Sequence, residues 1–346
     1  MAWPAPIYSR NQVRKSGKAY QKAFERDGYT YPSVNVSPND YQIVENWRAS
    51  HGAVLNTAQA WLRRLDKRNS PVVGQRLKRY STIIDKMTTG RSVDLSTMND
   101  IAGVRGIFKT EHELRNFQEL MSASRAKHEL THDRLKFDYI HNPKTTGYRG
   151  VHQVYKRNVS GTPGALWNGL KFEVQLRTSI QHAWATAVEI YDSTKRSRFK
   201  FETSEDPAYL QFRVISELFA RVHENCKGPI PELSDTELVS LERDLEAQSH
   251  MVATIDNLVT AENYGQLKKN TILKRTKNGE LYLLRFDSLP AAIRAISAIE
   301  DQADTENAVI VGAQTPNHIR VAFKNYFDDT TDFIELLNSA KREIRT

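Results

Sequence analysis

The spacing of apolar residues changes along the chain and predicts helices towards both ends with short strands between them. From Ser37-Pro38 to about Leu65 apolar residues recur at helical spacing, and a second helix is expected over 71–88. Between about 100 and 178 the apolar runs shorten and polar turns separate them, which is typical of the strands of one sheet. The strand-like runs are IAGVRGIF, LKFDYI, VHQVYKR and LKFEVQLR, and helices are expected over about 111–126 and 179–193.

The last third of the chain returns to helical spacing and changes again near residue 263. Ser234 and Glu237 fit a capping box, and the apolar residues after them predict a core-facing amphipathic helix more readily than a dimerising coiled coil. Further on, TILKRT and ELYLLRF flank Asn278-Gly279, which indicates a hairpin. A helix over 289–303, strands at AVIVGA and HIRVAF and a final helix over 330–342 complete a predicted ββαββα unit.

These patterns predict an α/β protein with a mixed β-sheet flanked by helices, helical extensions and a small C-terminal α+β domain. A chain of 346 residues is long enough for such a division. The expected parts are an N-terminal extension (1–39), a central domain (40–200), a helical connector (201–262) and a C-terminal domain (263–346).

Charge and cysteine content narrow the class of protein. The chain has 49 Lys and Arg against 41 Asp and Glu, a net charge of +8, which favours anionic partners. Much of the excess lies in residues 61–91, where a solvated basic helix and a phosphate-binding face are both possible explanations. Cys226 is the single cysteine, which excludes a disulfide framework and favours a cytoplasmic location. We find no signal peptide and no apolar run of about 18 residues, so no membrane partner is expected.

The segment DYIHNPKTTGYRGVH, residues 138–152, carries more chemistry than a turn needs. Pro143 and Gly147 are sufficient to turn the chain, because proline fixes φ and glycine allows positive φ. The other side chains suit a nucleotide, with a flat ring for the base and cations for the phosphates. They are Lys144, Tyr148, Arg149 and His152.

Two carboxylates in the central region are candidates for a metal site. Asp100 stands just before a predicted strand, and Glu173 alternates with Gln175 and Arg177 on one face of another. A charged face in an apolar strand is costly unless its groups are paired or used. Because Mg²⁺ prefers oxygen ligands, Asp100 and Glu173 are the expected pair.

Four motifs in order resemble the synthetase domain of the RelA/SpoT family over about residues 40–195. They read R-x-K-x3-S/T-x3-K from Arg76, D-x-x-G-x-R from Asp100, P-K-x-x-G-Y-x-x-x-H from Pro143 and E-x-Q-x-R-T from Glu173. The resemblance implies a pyrophosphokinase that transfers the β,γ-pyrophosphate of ATP to a ribose 3′-hydroxyl and releases AMP. Catalysis of this kind depends mainly on positioning and charge neutralisation.

The resemblance also assigns roles on the ATP side. Arg76 and Arg105 would sandwich the adenine, which guanidinium planes do well. Lys78, Thr82 and Lys86 would hold the phosphates, and on the predicted helix these three positions share one face. Thr82 stands where the family usually has serine, and its hydroxyl keeps the function.

On the acceptor side, the resemblance implies that Tyr148 stacks on the acceptor base and that Glu173 activates the 3′-hydroxyl. Thr146 stands where many guanine-nucleotide synthetases have asparagine, and Gly150 where serine is common, so the acceptor stays open. The remaining implied roles are acceptor-phosphate contacts for Lys144 and His152, orientation of the site by Gln175 and Arg177, and Mg²⁺ binding by Asp100 and Glu173.

Two acceptors and one non-enzymatic function are therefore expected as alternatives. The acceptor is GDP or GTP, which gives (p)ppGpp, or the 3′-terminal adenosine of tRNA, as in translation-blocking toxins of the family. A nucleotide-sensing module that has lost catalysis is the non-enzymatic alternative. The C-terminal domain is either a stabilising or oligomerising appendage or a regulator that a protein trigger releases, as in phage-defence toxin–antitoxin fusions. If it is a regulator, truncation near residue 262 should raise activity.

Overall fold

One mixed β-sheet of eight strands runs through the computed structural model, which describes residues 3–28, 35–65, 71–92, 94–194, 205–256, 270–313 and 315–345. The strands are β1 (Val72–Leu77), β2 (Ala102–Phe108), β3 (Glu129–Leu130), β4 (Val151–Lys156), β5 (Lys171–Thr178), β6 (Asn270–Thr276), β7 (Leu281–Phe286) and β8 (Thr305–Ala313). The helices are α1 (Arg10–Asp27), α2 (Pro38–Leu65), α3 (Tyr80–Thr88), α4 (Glu111–Ser122), α5 (Ser179–Thr194), α6 (Pro207–Glu224), α7 (Asp235–Ser249), α8 (Met251–Asp256), α9 (Leu289–Glu300), α10 (Pro316–Ala322) and α11 (Thr331–Arg345).

The strand order is β3-β4-β5-β2-β1-β8-β6-β7. The β2–β5 pair is parallel and the other pairs are antiparallel. With helices packed on this sheet, the expected class, a mixed β-sheet flanked by helices, is confirmed. The N-terminal extension contains helix α1, which the sequence spacing did not reveal. A capping box formed by Ser9 and Gln12 begins this helix.

Register places the polar side chains of three strands on one face of the sheet. Arg76 lies opposite Gly103 on β2, Gly103 lies opposite Glu173 on β5, and Arg105 lies opposite Gln175. Residues paired across neighbouring strands point to the same face, and alternate residues share it. Arg76, Arg105 and Glu173 therefore project on the same side.

Two apolar cores lie on opposite faces of the sheet. The larger one packs α1, α2 and α9 against the even-numbered residues of β2 and β5, such as Val104 and Val174. On the polar face, a smaller core joins Ile107 of β2 to Phe323 and Phe327, which follow α10. A third core, around Phe212 and Phe333, packs α5 to α8 with α11.

The structure corrects four predicted elements. Residues 71–88 are not one helix, because β1 occupies 72–77 and α3 begins at Tyr80. LKFDYI forms turns with an isolated bridge at Asp138. HIRVAF lies in α10 and is not a strand. The long helix after Ser234 keeps its capping box but breaks at His250, which has φ of 50°. In each case contacts distant in sequence override local spacing.

The three strands β6, β7 and β8 belong to the main sheet. β8 pairs with β1 at Gly74–Ala313, Gln75–Gly312 and Arg76–Val311, so the C-terminal region extends the central sheet instead of building its own. The predicted hairpin at Gly279 is confirmed, with φ of 87° there. The predicted boundaries at 200/201 and 262/263 lie outside the described residues, and the division into four units stays a prediction. Every helix in the described ranges is too short or too polar to cross a membrane.

Candidate nucleotide-binding site

Two lysines converge on Asp100 at one end of β1 and β2. Lys78 follows β1 and Asp100 precedes β2. Because these strands are antiparallel neighbours, the end of β1 lies beside the start of β2, and the two residues meet there. Lys78 Nζ lies 2.7 Å and Lys86 Nζ 2.6 Å from Asp100 Oδ2. The expected grouping of Lys78 and Lys86 is present, although a strand end and a helix supply them. Thr82 lies on α3, outside the lining of the cleft described below.

Burial and charge act together on this cluster. Burial alone would raise the pKa of the Asp100 carboxyl, but the two ammonium groups outweigh it and hold that pKa well below its usual range. Burial, assisted by the charges of Lys86 and Arg76, lowers the pKa of Lys78 to about 8 even though Asp100 opposes the shift. The cluster thus has more positive than negative charge around one partly buried carboxylate, which suits an anionic ligand.

A second chain of polar groups runs from β5 to the loop before β4. Glu173 Oε1 lies 2.9 Å from His152 Nδ1, and His152 Nε2 lies 2.6 Å from the Tyr148 hydroxyl. Gln175 Nε2 donates to Glu173 Oε2 at 2.7 Å, and Arg177 Nε donates to the Tyr148 hydroxyl at 3.1 Å. Four of the predicted acceptor-side residues therefore lie in one connected network with Glu173.

The network shifts the pKa values of its members. Burial tends to lower the pKa of His152, but Tyr148 and Glu173 raise it to about 9. Burial tends to raise the pKa of Tyr148, but Arg177 and His152 lower it to about 8. For Glu173, burial again opposes the effect of His152, and the pKa of the carboxyl is lowered. Glu173 is therefore a carboxylate at neutral pH.

A cleft of about 310 Å³ joins the two groups. Its size is in the range of small-molecule sites. Phe137 and Tyr139, on the loop before β4, form an aromatic wall that the sequence analysis did not find. The polar lining includes Lys86, Asp100, His152 and Glu173.

Tyr148 is less open than a base-stacking residue was expected to be. Arg177 lies 5.0 Å and Lys144 5.3 Å from the centre of its ring, and Trp184 and Tyr139 contact it edge-on. Lys144 also lies 4.3 Å from the ring centre of Tyr139. The predicted role of Tyr148 stays a prediction, and Tyr139, which lines the cleft, is a further candidate for contact with a base.

Arg149 does not join the site. Its side chain is buried and forms an ion pair with Glu224 at the end of α6, with Cys226 Sγ 2.9 Å from Nη2. The sequence suggested a phosphate contact because Arg149 is adjacent to Tyr148, but adjacent residues in an extended segment point in opposite directions. Arg149 therefore anchors the loop to α6.

The C-terminal region covers Arg105. Arg105 Nη1 donates to the carbonyl oxygen of Ala322 at 2.8 Å, and the Phe323 ring centre lies 6.0 Å from its guanidinium carbon. His182 Nε2 lies 2.9 Å from the preceding carbonyl, that of Val321. These carbonyls lie at the end of α10, where helical carbonyls lack intrahelical partners. Burial and the nearby charge of Arg177 lower the pKa of Arg105 to about 10.

The two carboxylates fit a metal ion that arrives with a nucleotide. Asp100 and Glu173 line the same cleft, and the charge of Asp100 acts on Glu173. Within the described ranges, no cluster of three or more His, Cys, Asp and Glu is placed to hold a metal by itself. Mg²⁺ commonly takes one or two carboxylates and completes its shell with phosphates and water, so this donor set fits it.

Comparison with known proteins covers the central part of the chain. Residues 75–195 match the family model described as "Region found in RelA / SpoT proteins". Over 190 residues the chain is 29% identical to uncharacterized protein Rv1366 of Mycobacterium tuberculosis strain H37Rv. This alignment covers 54% of this chain and 59% of that protein. The match to uncharacterized protein Mb1401 of Mycobacterium bovis has the same extent. The alignment thus covers about three fifths of these curated relatives.

Two solved structures are similar to part of this chain. Small alarmone synthetase 1 from Bacillus subtilis is 18% identical with a TM-score of 0.40, over 64% of this chain and 100% of that chain. A GTP pyrophosphokinase family protein from Streptococcus pneumoniae is 22% identical with a TM-score of 0.38, over 57% of this chain and 92% of that chain. At such low scores these two structures carry no conclusion about the substrate.

Proposed function

We propose that this protein is an ATP-dependent pyrophosphokinase acting on a ribose 3′-hydroxyl, and the match of residues 75–195 to a region found in RelA/SpoT proteins supports the proposal. The observation that carries the proposal is the cleft in which Asp100, with its two lysines, faces Glu173 and His152. Such a cleft can neutralise a triphosphate on one side and receive a proton on the other.

In the proposed reaction, each polar group of the site has its own role. The acceptor 3′-oxygen forms a bond to the β-phosphorus of ATP, the bond from that phosphorus to the α,β-bridging oxygen breaks, and AMP leaves. Glu173 accepts the hydroxyl proton, and His152 at 2.9 Å holds the carboxylate in place. Lys78 and Lys86 neutralise the phosphates. Mg²⁺, held by Asp100 and Glu173, would supply further charge neutralisation.

The acceptor is GDP, GTP or the 3′-terminal adenosine of tRNA. The aromatic wall of Phe137 and Tyr139 offers a surface for a base in either case. Lys136 lies 5.4 Å from the Phe137 ring centre, and with Lys144 it adds positive charge beside that wall. These features suit any nucleotide and leave both acceptors in the proposal.

The test is transfer of label from ATP carrying labelled β- and γ-phosphates. Wild-type protein is incubated with Mg²⁺ and GDP, GTP or deacylated tRNA in parallel, with Glu173→Gln as the matched inactive control. Label should appear on one acceptor class in wild type and on none in the control. ATP hydrolysis without labelled acceptor would contradict the proposal.

A nucleotide sensor is the second candidate, because α10 covers Arg105. If Arg105 and Arg76 bind adenine, Ala322 and Phe323 occupy part of that site. In a protein that senses nucleotides without catalysis, ATP would compete with α10 for Arg105, and no reaction would follow binding. It would bind ATP and yield no labelled acceptor.

The same contact supports regulation of the enzyme by its C-terminal region. With α10 docked, Arg105 has a backbone carbonyl in place of a base, so this arrangement is an inhibited form. A protein trigger that binds the undocked form more tightly would shift the population towards activity. Toxin activity and phage defence are consistent with such control and belong to this proposal.

A further inference from the structure

Arg48 is a fully buried cation that the proposed chemistry does not use. It lies on α2 with 0% of its side chain exposed, and the Glu300 side chain, at the end of α9, is 8% exposed. Arg48 Nη1 lies 2.8 Å and Nη2 3.1 Å from the two carboxylate oxygens of Glu300. This two-point geometry is the strong form of a guanidinium–carboxylate pair. Glu45 adds a third, longer contact at 3.3 Å.

The pair holds the backbone from which Lys78 projects. Arg48 Nε donates to the carbonyl oxygen of Lys78 at 2.9 Å, and Glu300 Oε1 accepts from the backbone N–H of Tyr80 at 3.4 Å. The two residues therefore contact the junction of β1 and α3 on both sides of Arg79. Lys78 N in turn donates to the carbonyl of Ile101, just after Asp100.

We propose that Arg48 and Glu300 are positioning residues, which fix the β1–α3 junction so that the Lys78 ammonium reaches the phosphates of the bound nucleotide. The inference rests on the proposed function, in which Lys78 is a phosphate ligand. Glu300, a residue of the C-terminal region, is then necessary for the geometry of the central site. The same region thus covers Arg105 through α10 and orders Lys78 through α9.

A purely stabilising role is the alternative, and a hydrophobic replacement separates the two. Replacing both members of a buried ion pair by apolar residues of similar size often preserves stability. The double variant Arg48→Met/Glu300→Leu should therefore keep the fold, with Glu45 as the one carboxylate left without Arg48, while it removes the contacts to Lys78 and Tyr80. Arg48→Lys keeps the charge but lacks the planar fork that reaches Glu300 and the Lys78 carbonyl together.

The matched control is another ion pair of the C-terminal region. Lys274 lies on β6, which β8 separates from β1, and its Nζ lies 2.8 Å from Asp304. Asp304→Asn therefore removes an ion pair of the C-terminal region other than the one at the β1–α3 junction. This variant reports the general effect of losing a salt bridge in this region.

The probe is inorganic tripolyphosphate with Mg²⁺, measured by calorimetry on the full chain, because it needs neither the adenine site nor turnover. We expect about a tenfold loss of affinity in the double variant and in Arg48→Lys, with wild-type affinity in Asp304→Asn. Thermal melting of each variant accompanies the titration.

Wild-type affinity in a folded double variant overturns the proposal. If that variant does not fold, unchanged affinity in Arg48→Lys overturns it instead. Failure of wild type to bind tripolyphosphate also overturns it. Binding by wild type without any pyrophosphate transfer, together with loss of binding in the variants, leaves the positioning role in place and contradicts the proposed function alone.

Discussion

Tyr148 lies between two basic side chains, and its hydroxyl should therefore ionise at unusually low pH. Its pKa of about 8 compares with an ordinary value of 10.0, because Arg177 and His152 outweigh the effect of burial. We expect one tyrosine to form phenolate near pH 8 in an ultraviolet titration. Tyr148→Phe should abolish this step, and Arg177→Met should move it to higher pH.

The sign of the stability effect follows from the same shift. The folded pKa of Tyr148 is below the unfolded one, so its stabilising contribution is complete above about pH 10 and is lost as pH falls through about 8. Unfolding of wild type and Tyr148→Phe in denaturant should differ more at pH 9.5 than at about pH 7. An equal difference at both pH values would contradict the predicted interaction with Arg177.

Substitutions of Asp100 and Glu173 should differ in their effect on stability, although we propose that both residues are needed for activity. Asp100→Asn removes the partner of two ammonium groups, one of them buried, and breaking such a pair costs roughly 3 kcal/mol. In Glu173→Gln the new amide oxygen can still accept from His152. We therefore expect both variants to lose transfer and only Asp100→Asn to show a clearly lower free energy of unfolding.

Activity within about tenfold of wild type in either variant, which is about 1.4 kcal/mol in the barrier, would contradict the assignment. Melting curves recorded beside the transfer assay distinguish lost chemistry from lost fold. A stable Asp100→Asn protein would show that Lys78 and Lys86 do not depend on this carboxylate.

At the scale of single residues, the sequence was a better guide to which side chains form the candidate site than to the contacts that those side chains make. The motifs assigned Lys78, Lys86, Asp100, His152 and Glu173 to one site, and these side chains lie close together in the structure, while their roles stay predictions. It could not show that Arg149 turns away, because the Glu224 that binds it is remote in sequence. The Arg48–Glu300 pair joins residues 252 positions apart and has no local signal.

A methyl group added at Gly74 should displace helix α10. A Cβ added at Gly74 would lie 2.7 Å from the Ala322 Cβ and 3.1 Å from the Phe323 ring, so α10 must move. If α10 inhibits by covering Arg105, Gly74→Ala should raise pyrophosphate transfer by about tenfold, which is about 1.4 kcal/mol. The measurement is the initial rate of label transfer at fixed ATP.

The compensating variant gives the control for α10. Ala322→Gly removes the atom that the new methyl meets, so Gly74→Ala/Ala322→Gly should allow α10 to dock again and return the rate towards the basal value. Equal rates in wild type, Gly74→Ala and the double variant, with all three folded, would contradict inhibition by α10. A low rate in both variants would show that the methyl at residue 74 itself hinders ATP.

At the scale of the elements, those with a strong apolar period or with clear turn and capping residues were predicted best. The hairpin at Gly279 and the capping box of α7 are examples, since local chemistry decides them. HIRVAF has strand-like composition, but Thr315 caps the helix that contains it and Ile319 packs into the core beside β8. Tertiary packing thus decided the elements that local spacing missed.

At the scale of the whole molecule, all the strands that the structure describes belong to one sheet, and this changes what truncation should do. β8 supplies the neighbour of β1, and without it Gly74, Gln75 and Arg76 would lie on a bare edge strand. Ile293, Ile296 and Ile310 are 2%, 0% and 0% exposed in the same core as α2. Each buried side chain contributes about 1.5–3 kcal/mol, against a total stability of roughly 5–15 kcal/mol.

Removal of residues 263–346 should therefore unfold the protein instead of activating it, contrary to the expectation from sequence. Arg48 would also lose its two-point contact with Glu300 and keep only the longer contact with Glu45, which weakens the pairing of a buried charge. We expect a chain of residues 1–262 to be insoluble, or soluble without a cooperative melt by circular dichroism. Coexpression of residues 263–346 should restore both solubility and the melt, because β8 and α9 then return to β1 and α2. A soluble 1–262 chain that melts cooperatively and transfers pyrophosphate faster than the full chain would instead restore the separate regulatory domain.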